Sequence, residues 1–113
     1  METKSIVRAL AAIAHESRLE AYRCLVQAGP AGLPAGQLSE LLGIAPSSLS
    51  FHLKELVNAG LLSSRQEGRF VFYSAEYKAM NLLLAYLTEN CCGGNPCSPV
   101  SLGTCTGVQK SRS

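Results

Sequence analysis

Charged residues are scarce in this chain of 113 residues. Asp, Glu, Lys and Arg make up 16% of it, and the formal net charge is only +2. A stand-alone helical protein usually carries more charge on its surface, so the shortage suggests that another subunit covers some apolar surface. A net charge this small does not by itself indicate a nucleic-acid partner. Evidence for a nucleic-acid partner must come from a local cluster of suitable side chains.

Secretory and membrane-spanning segments are also missing. No run approaches the roughly 20 apolar residues that a membrane-spanning helix needs. The first apolar stretch, 6–14, is interrupted by Arg8 and lacks the basic, apolar and small-residue order of a signal peptide. We therefore expect no membrane partner and a location in the cytoplasm, where thiols stay reduced.

The spacing of apolar residues predicts one domain with five helices and a β-hairpin. The predicted helices cover 5–14, 16–28, 35–42, 46–59 and 76–90, and the predicted strands cover 61–65 and 70–74. Helix 46–59 is the best defined, because Leu49, Leu53 and Leu56 recur on one face. Two helices joined by a tight turn at Gly43 and followed by a hairpin predict a winged helix-turn-helix, a mainly α fold with a β-hairpin wing.

The second helix of this motif would enter the major groove of DNA with its N-terminal residues toward the bases. Hydroxyl groups there can contact phosphates or base edges, and arginines in the wing can reach the backbone or a narrow minor groove. The candidate DNA-binding residues are Ser47, Ser48, Ser50, His52, Lys54, Arg65 and Arg69. The alternatives are helix capping by Ser47 or Ser48, a surface histidine and a solvated hairpin.

Three segments together carry a family pattern. Residues 15–19 (HESRL) match a helix opening of the D-P-T-R-L type, 38–56 match a helix-turn-helix, and 59–69 match the beginning of a wing. From about residue 5 to about residue 90 the chain resembles the ArsR/SmtB family of metal-responsive repressors. The resemblance implies a homodimer whose first and last helices form the interface. It also implies binding to double-stranded operator DNA without effector, and release when an ion binds.

The composition changes after residue 90. Gly, Ser, Thr, Pro and Cys dominate 91–113, where Lys110 and Arg112 are the only charged residues. Such a segment cannot bury enough apolar surface to order itself. We therefore expect a DNA-binding and dimerisation domain over 1–90 and a flexible sensor tail over 91–113. Four of the five cysteines lie in this tail: Cys91, Cys92, Cys97 and Cys105.

Adjacent cysteines favour a soft ion over a disulfide. Neighbouring Cα atoms lie about 3.8 Å apart, less than the usual disulfide span of roughly 4.4 Å or more. Two thiolates side by side suit a thiol-seeking ion, and trivalent arsenic takes three thiolates in a pyramid. Cys91 and Cys92 would supply two of them. The chain can fold back through its glycines and a proline, so that Cys97 supplies the third, with Cys105 as the alternative or fourth ligand.

The family's usual ligand positions carry no ligands in this chain. Many members hold arsenic by Cys-Val-Cys in the helix before the recognition helix, where 39–42 read SELL, and the zinc site on the last helix would need a histidine that 76–90 lack. Cys91-Cys92 looks like the variant of members that bind arsenite at the end of the last helix. The resemblance thus implies As(III) or Sb(III) as effector and no organic cofactor. Other soft metals and an idle tail stay open.

Other functions compete with this interpretation. A redox-sensing winged-helix regulator would use the same thiols and is the first alternative. A zinc-stabilised interaction module lacks the paired C-x₂₋₄-C spacing. An enzyme is not expected, because Cys91 follows a helix C-terminus, whose dipole opposes a thiolate, and the chain has no C-x₅-R loop. Cys24, beside Leu25 and Val26, is predicted to be a small buried hydrophobic residue.

Overall fold

The computed structural model describes residues 2–94. Its elements are α1 (Thr3–Ile13), α2 (Glu16–Ala28), β1 (Leu33–Pro34), α3 (Ala35–Leu42), α4 (Pro46–Asn58), β2 (Leu62–Glu67), β3 (Phe70–Ala75), α5 (Tyr77–Leu87) and a 3-10 turn (Cys91–Gly94). The strands form one antiparallel sheet in the order β1-β3-β2. The predicted winged helix-turn-helix is confirmed. Within residues 2–94, the helices are too short or too polar to cross a membrane.

Local signals set the bounds of the helix-turn-helix. Gly43 ends α3 in the left-handed region at φ 67° and donates its N–H to the Ser39 carbonyl. The Ser39 hydroxyl, which is buried, donates to the Ile44 carbonyl across the turn. Pro46 then begins α4, where its fixed φ is compatible with the first helical position. These contacts hold α4 at a defined angle to α3.

The core is built around α4. Its largest fully buried side chains are leucines, contributed by α2, α3, α4 and the turn that follows α4: Leu25, Leu38, Leu49, Leu53, Leu56 and Leu61. Each such side chain contributes roughly 1.5–3 kcal/mol when it leaves water. Arg8 adds a polar tie, because its Nη2 donates to the Asn58 carbonyl at the C-terminal end of α4 at 2.8 Å. The opposite face of α4 is left to solvent.

The wing starts later than predicted and has a third strand. Leu61 stays with the end of α4, because its N–H donates to the Leu56 carbonyl at 3.0 Å, so β2 starts at Leu62. The short strand β1 was predicted as loop, and it pairs Leu33 with Tyr73 of β3. The pairing partner lies far along the chain, so local sequence carries no signal for this strand.

The last helix is shorter than predicted. It ends at Leu87 instead of Asn90, with the Thr88 hydroxyl donating back to the Leu84 carbonyl at 2.8 Å. Asn90 then takes a positive φ of 57°, which redirects the chain. The first two cysteines of the cluster therefore follow a turn and lie in a separate 3-10 segment.

Two tyrosines in the core offer a matched stability test. In the part of the chain described, Tyr22 Oη is the buried side-chain polar atom without a hydrogen-bond partner, and burial, with Tyr77 adding to it, raises the pKa of Tyr22. Tyr77 Oη instead donates to the Val26 carbonyl at 2.9 Å. We expect Tyr22→Phe to leave the free energy of unfolding unchanged or raise it, and Tyr77→Phe to lower it by about 1 kcal/mol. Urea unfolding of both variants measures this, and a larger loss for Tyr22→Phe would contradict it.

Candidate nucleic-acid interface

Helix α4 turns one polar stripe toward solvent. Ser47, Phe51 and Lys54 lie at positions i, i+4 and i+7, on the side opposite the buried leucines. Ser48 and Ser50 are exposed beside this stripe. Four of the five DNA-binding candidates predicted on α4 therefore face solvent together, on a helix that the core holds in place. The exposed face has the composition of a surface that contacts phosphates and base edges.

The capping interpretation of the serines is wrong. Ala45 occupies the N-cap position of α4 and Pro46 the first turn, so Ser47 and Ser48 lie inside the helix. The physical reason is Pro46, whose ring favours the first helical position and so places Ser47 and Ser48 two and three residues past the N-cap. Their hydroxyls therefore lie in the first turn of α4, the part of a recognition helix that meets DNA.

The fifth candidate on α4, His52, contacts α2. Arg18 Nε donates to His52 Nδ1 at 3.1 Å, and the ring of His15 lies 4.6 Å from that of His52, measured between centroids. Loss of solvent lowers the pKa of His52 below its ordinary value of 6.5, and the charges of His15 and Arg18 act in the same direction. A DNA contact by His52 stays a prediction, and the structure adds a role in holding α4 against α2.

The titration of His52 can be measured directly. We expect its imidazole to titrate below pH 6.5, and Arg18→Ala to raise the pKa partway back, because a donor to the neutral ring and a nearby positive charge are both removed. Because the pKa of His52 is lower in the folded wild-type protein than in the unfolded chain, the unfolded chain binds more protons at acid pH than the folded protein does. The contribution of His52 to stability is therefore present above pH 6.5 and lost as the pH falls through the folded pKa. NMR titration of the ring checks this, with Arg23→Ala on the same helix as the control that should leave the pKa unchanged.

The two predicted wing arginines differ in their surroundings. Arg65 is engaged within the protein: its Nε pairs with the Glu67 carboxylate at 2.6 Å, and its Nη2 donates to the Ala31 carbonyl at 2.9 Å. Its guanidinium also lies 4.8 Å from the centre of the Phe72 ring. The exposed ion pair by itself contributes little, so the main effect of Arg65 is to fasten the wing to the loop before β1. Arg69 is exposed next to the hairpin turn, where a wing can reach DNA.

Sequence reasoning missed Phe51. Its side chain is 56% exposed, although it lies in the middle of the outward stripe of α4. It was overlooked because an aromatic residue inside an apolar helix pattern is normally assigned to the core. The signal that could have identified it is its spacing, since Phe51 is out of phase with the buried positions Leu49, Leu53 and Leu56.

Helices α1 and α5 both leave large apolar side chains exposed. The Thr3 hydroxyl lies 2.6 Å from the Tyr86 hydroxyl and links the two helices. The exposed large apolar side chains of this pair are Val7, Leu10, Leu82, Leu84 and Leu87, and the most exposed, Val7 and Leu87, reach 57% and 55%. Exposed apolar side chains in this number agree with a surface that is covered in an assembly.

The cysteine cluster begins four residues after the end of α5. Cys91 is exposed, and its N–H donates to the Thr88 carbonyl at 2.9 Å. Cys92 follows in the same 3-10 turn. The side chain of Cys92, and Cys97 and Cys105 entirely, lie outside the described residues, so the ligand set and the division of the chain at residue 90 stay predictions. Over residues 2–94, no three His, Cys, Asp or Glu side chains come together as a metal site. Cys24 is half-buried against the core, in agreement with its predicted packing role.

A buried helix-turn-helix scaffold, an exposed second helix and a β-hairpin wing define a winged-helix DNA-binding transcriptional regulator. A family model described as a helix-turn-helix domain matches residues 13–65. The HTH-type transcriptional regulator YgaV of Escherichia coli K12 is 31% identical over 83 residues, which are 74% of this chain and 82% of that protein. The arsenical resistance operon repressor of Bacillus subtilis 168 is 33% identical over 81 residues, 72% and 73% of the two chains.

A solved structure agrees with these relatives. HlyU from Vibrio cholerae N16961 superimposes with a TM-score of 0.61 at 38% identity over 77% of this chain and 97% of that one. A second structure of that protein, described as reduced HlyU, gives a TM-score of 0.60 over 75% and 90%. The chain belongs to the ArsR/SmtB family of winged-helix transcriptional regulators.

Proposed function

We propose that the protein is an arsenite-responsive transcriptional repressor of the cytoplasm. A homodimer binds operator DNA through α4 and the wing. It releases the DNA when As(III) or Sb(III) binds the thiolates of Cys91 and Cys92, with Cys97 or Cys105 as the third ligand. One observation carries the proposal. The cysteine pair follows α5 after one turn of three residues, and α5, like α1, leaves large apolar side chains exposed.

The DNA contact rests on the outward face of α4. Ser47, Ser48 and Ser50 are short and exposed, so the helix backbone can approach the floor of a major groove closely. Lys54 lies on the same stripe, seven residues after Ser47, and supplies a positive charge for a phosphate. Arg69 extends the contact from the hairpin turn. Because the protein carries a net charge of only +2, these few groups must supply most of the attraction for DNA.

The dimer rests on the apolar side chains that α1 and α5 leave exposed. Leu10, Leu82 and Leu87 are large apolar side chains that the fold itself does not bury, and the low charge content of the chain agrees with a covered surface. A second copy of the chain would cover such side chains symmetrically, as in most soluble homodimers. Two copies of α4 would then face the DNA together.

The switch follows from where the thiols lie. Two recognition helices must match half-sites about one DNA turn apart, so a small rotation between subunits spoils both contacts. A thiolate cage at the end of α5 would act on the subunit seam itself. Thiol-containing donors suit As(III), and a Bacillus subtilis relative is described as an arsenical resistance operon repressor. The coupling is reciprocal, so operator DNA should weaken arsenite binding by the same factor.

The test starts from an operator selected from a random duplex library by the full chain. Fluorescence anisotropy of the labelled operator then measures binding at fixed salt, since affinity for DNA depends strongly on salt. We expect arsenite to release the DNA and arsenate or Zn(II) at the same concentration to leave it bound. Retention of the operator at saturating arsenite, with every thiol reduced, would refute the proposal.

Thiol-based redox sensing is the second candidate. It is favoured by the likeness to HlyU, one of whose structures is described as the reduced protein. In this case peroxide, and not arsenite, would release the operator, with the appearance of a disulfide by mass spectrometry. The same anisotropy assay therefore separates the two functions.

A further inference from the structure

The exposed face of α4 holds one apolar side chain among polar ones. Phe51 is 56% exposed, and its neighbours on the outward stripe are Ser47 and Lys54. A single exposed apolar residue is common on protein surfaces. Phe51 differs in its place, because it occupies the middle of the helix face that would enter the groove. An aromatic ring there would lie against the base edges when α4 binds in the major groove.

Arg18 of α2 and the neighbouring His52 of α4 contact the Phe51 ring. The Arg18 guanidinium lies 5.6 Å from the centre of the ring, and the His52 ring meets it edge-on with centroids 6.0 Å apart. Arg18 also donates to His52 Nδ1, so the three side chains support one another. A ring held in this way loses less side-chain entropy when it binds than a mobile one.

The chemistry of the major groove identifies the partner of such a ring. Base edges there present hydrogen-bond donors and acceptors, and the 5-methyl group of thymine is the apolar exception. A protein partner would call for a wider apolar patch, whereas the Phe51 ring contacts Arg18 and His52 and shares its helix face with serines and a lysine. We propose that Phe51 determines specificity for thymine by packing on its 5-methyl group, with Arg18 as the positioning residue. This inference rests on the DNA-binding part of the proposed function.

Replacing thymine by uracil in the selected operator tests the contact, because only the methyl group is removed. We expect the wild-type protein to lose about fourfold in affinity at one thymine of each half-site, the factor that corresponds to burial of one methyl group. Phe51→Ala should bind the thymine operator more weakly and no longer distinguish thymine from uracil at that position. Because Phe51 lies outside the core, the variant should unfold at the wild-type urea concentration.

The control variant is Lys54→Ala. It removes a charge from the same stripe, so it should weaken binding to every operator equally while the difference between thymine and uracil persists. The inference is overturned if wild-type protein is indifferent to uracil at every position, or if Phe51→Ala discriminates as the wild type does. Failure to select any operator would overturn the proposed DNA-binding function, and the inference about Phe51 would fall because it rests on that function.

Discussion

Replacement of Cys91 and Cys92 by serine is expected to abolish the release of operator DNA by arsenite. Serine has nearly the shape of cysteine, but its hydroxyl does not supply the soft thiolate that As(III) requires. The affinity for DNA without arsenite should stay within about twofold of the wild type, as for exposed substitutions away from a binding face. Anisotropy of the labelled operator during an arsenite titration measures both quantities in one experiment.

The control for this variant is Cys24→Ala. Cys24 packs against the core from α2, so this variant should keep the full arsenite response. Single substitutions of Cys97 and Cys105 then decide which of them is the third ligand. A Cys91→Ser/Cys92→Ser protein that still lets go of DNA would refute the assignment of the site. So would full induction of a chain that ends at Asn90.

The pH dependence of arsenite binding provides an independent check on the ligands. At neutral pH arsenite is As(OH)3, and each thiol proton leaves with one of its hydroxyl groups as water, so binding releases no net proton. The affinity of the wild type for arsenite should therefore change little with pH around neutrality, whereas its affinity for an aquated soft metal ion should rise with pH.

Gly32→Ala is expected to lower the free energy of unfolding by about 3 kcal/mol or more, the upper end of the usual range for a single substitution. Gly32 has a φ of 73°, and a Cβ on it would overlap the backbone carbonyl of Tyr73. Backbone atoms of a paired strand cannot move aside cheaply, so β1 would have to separate from β3. The pairings of Leu33 with Tyr73 and of Pro34 with Phe72 would then be lost.

Gly29→Ala is the matched control for this strain. Gly29 lies in the same loop at a φ of 91°, but no atom comes within 4 Å of the Cβ position. Its ψ of 176° places Gly29 in a region that is essentially restricted to glycine, so Gly29→Ala should lose about 1–3 kcal/mol from the backbone conformation alone. Urea unfolding followed by circular dichroism compares the two variants. Equal losses would show that the close approach of Gly32 to β3 contributes nothing.

Gly32→Ala should also weaken the binding of DNA. The carbonyl that accepts from Arg65 belongs to Ala31, immediately before Gly32. Displacement of this loop would release the tie between the wing and the rest of the domain. We therefore expect Gly32→Ala to weaken operator binding beyond what partial unfolding explains, measured at a temperature where the variant is folded.

Local signals in the sequence were sufficient for the helix-turn-helix. Helices α2 and α3 have the predicted bounds, and α4 begins at the predicted Pro46. A helical apolar period, a glycine that accepts positive φ and a proline at a helix start act within a few residues of each other. The exposed serines and Lys54 on α4 follow from the same period, because the positions of the buried leucines determine which residues face outward.

Contacts between distant elements decided the rest. The strand β1 exists because Leu33 meets Tyr73, His52 turns toward α2 because Arg18 donates to it, and Arg65 is occupied because a carbonyl of another loop lies within its reach. Sequence alone determined the periodic, short-range features of this protein. Tertiary structure decided every feature whose energy depends on a partner far along the chain, because that partner is brought near only when the core closes.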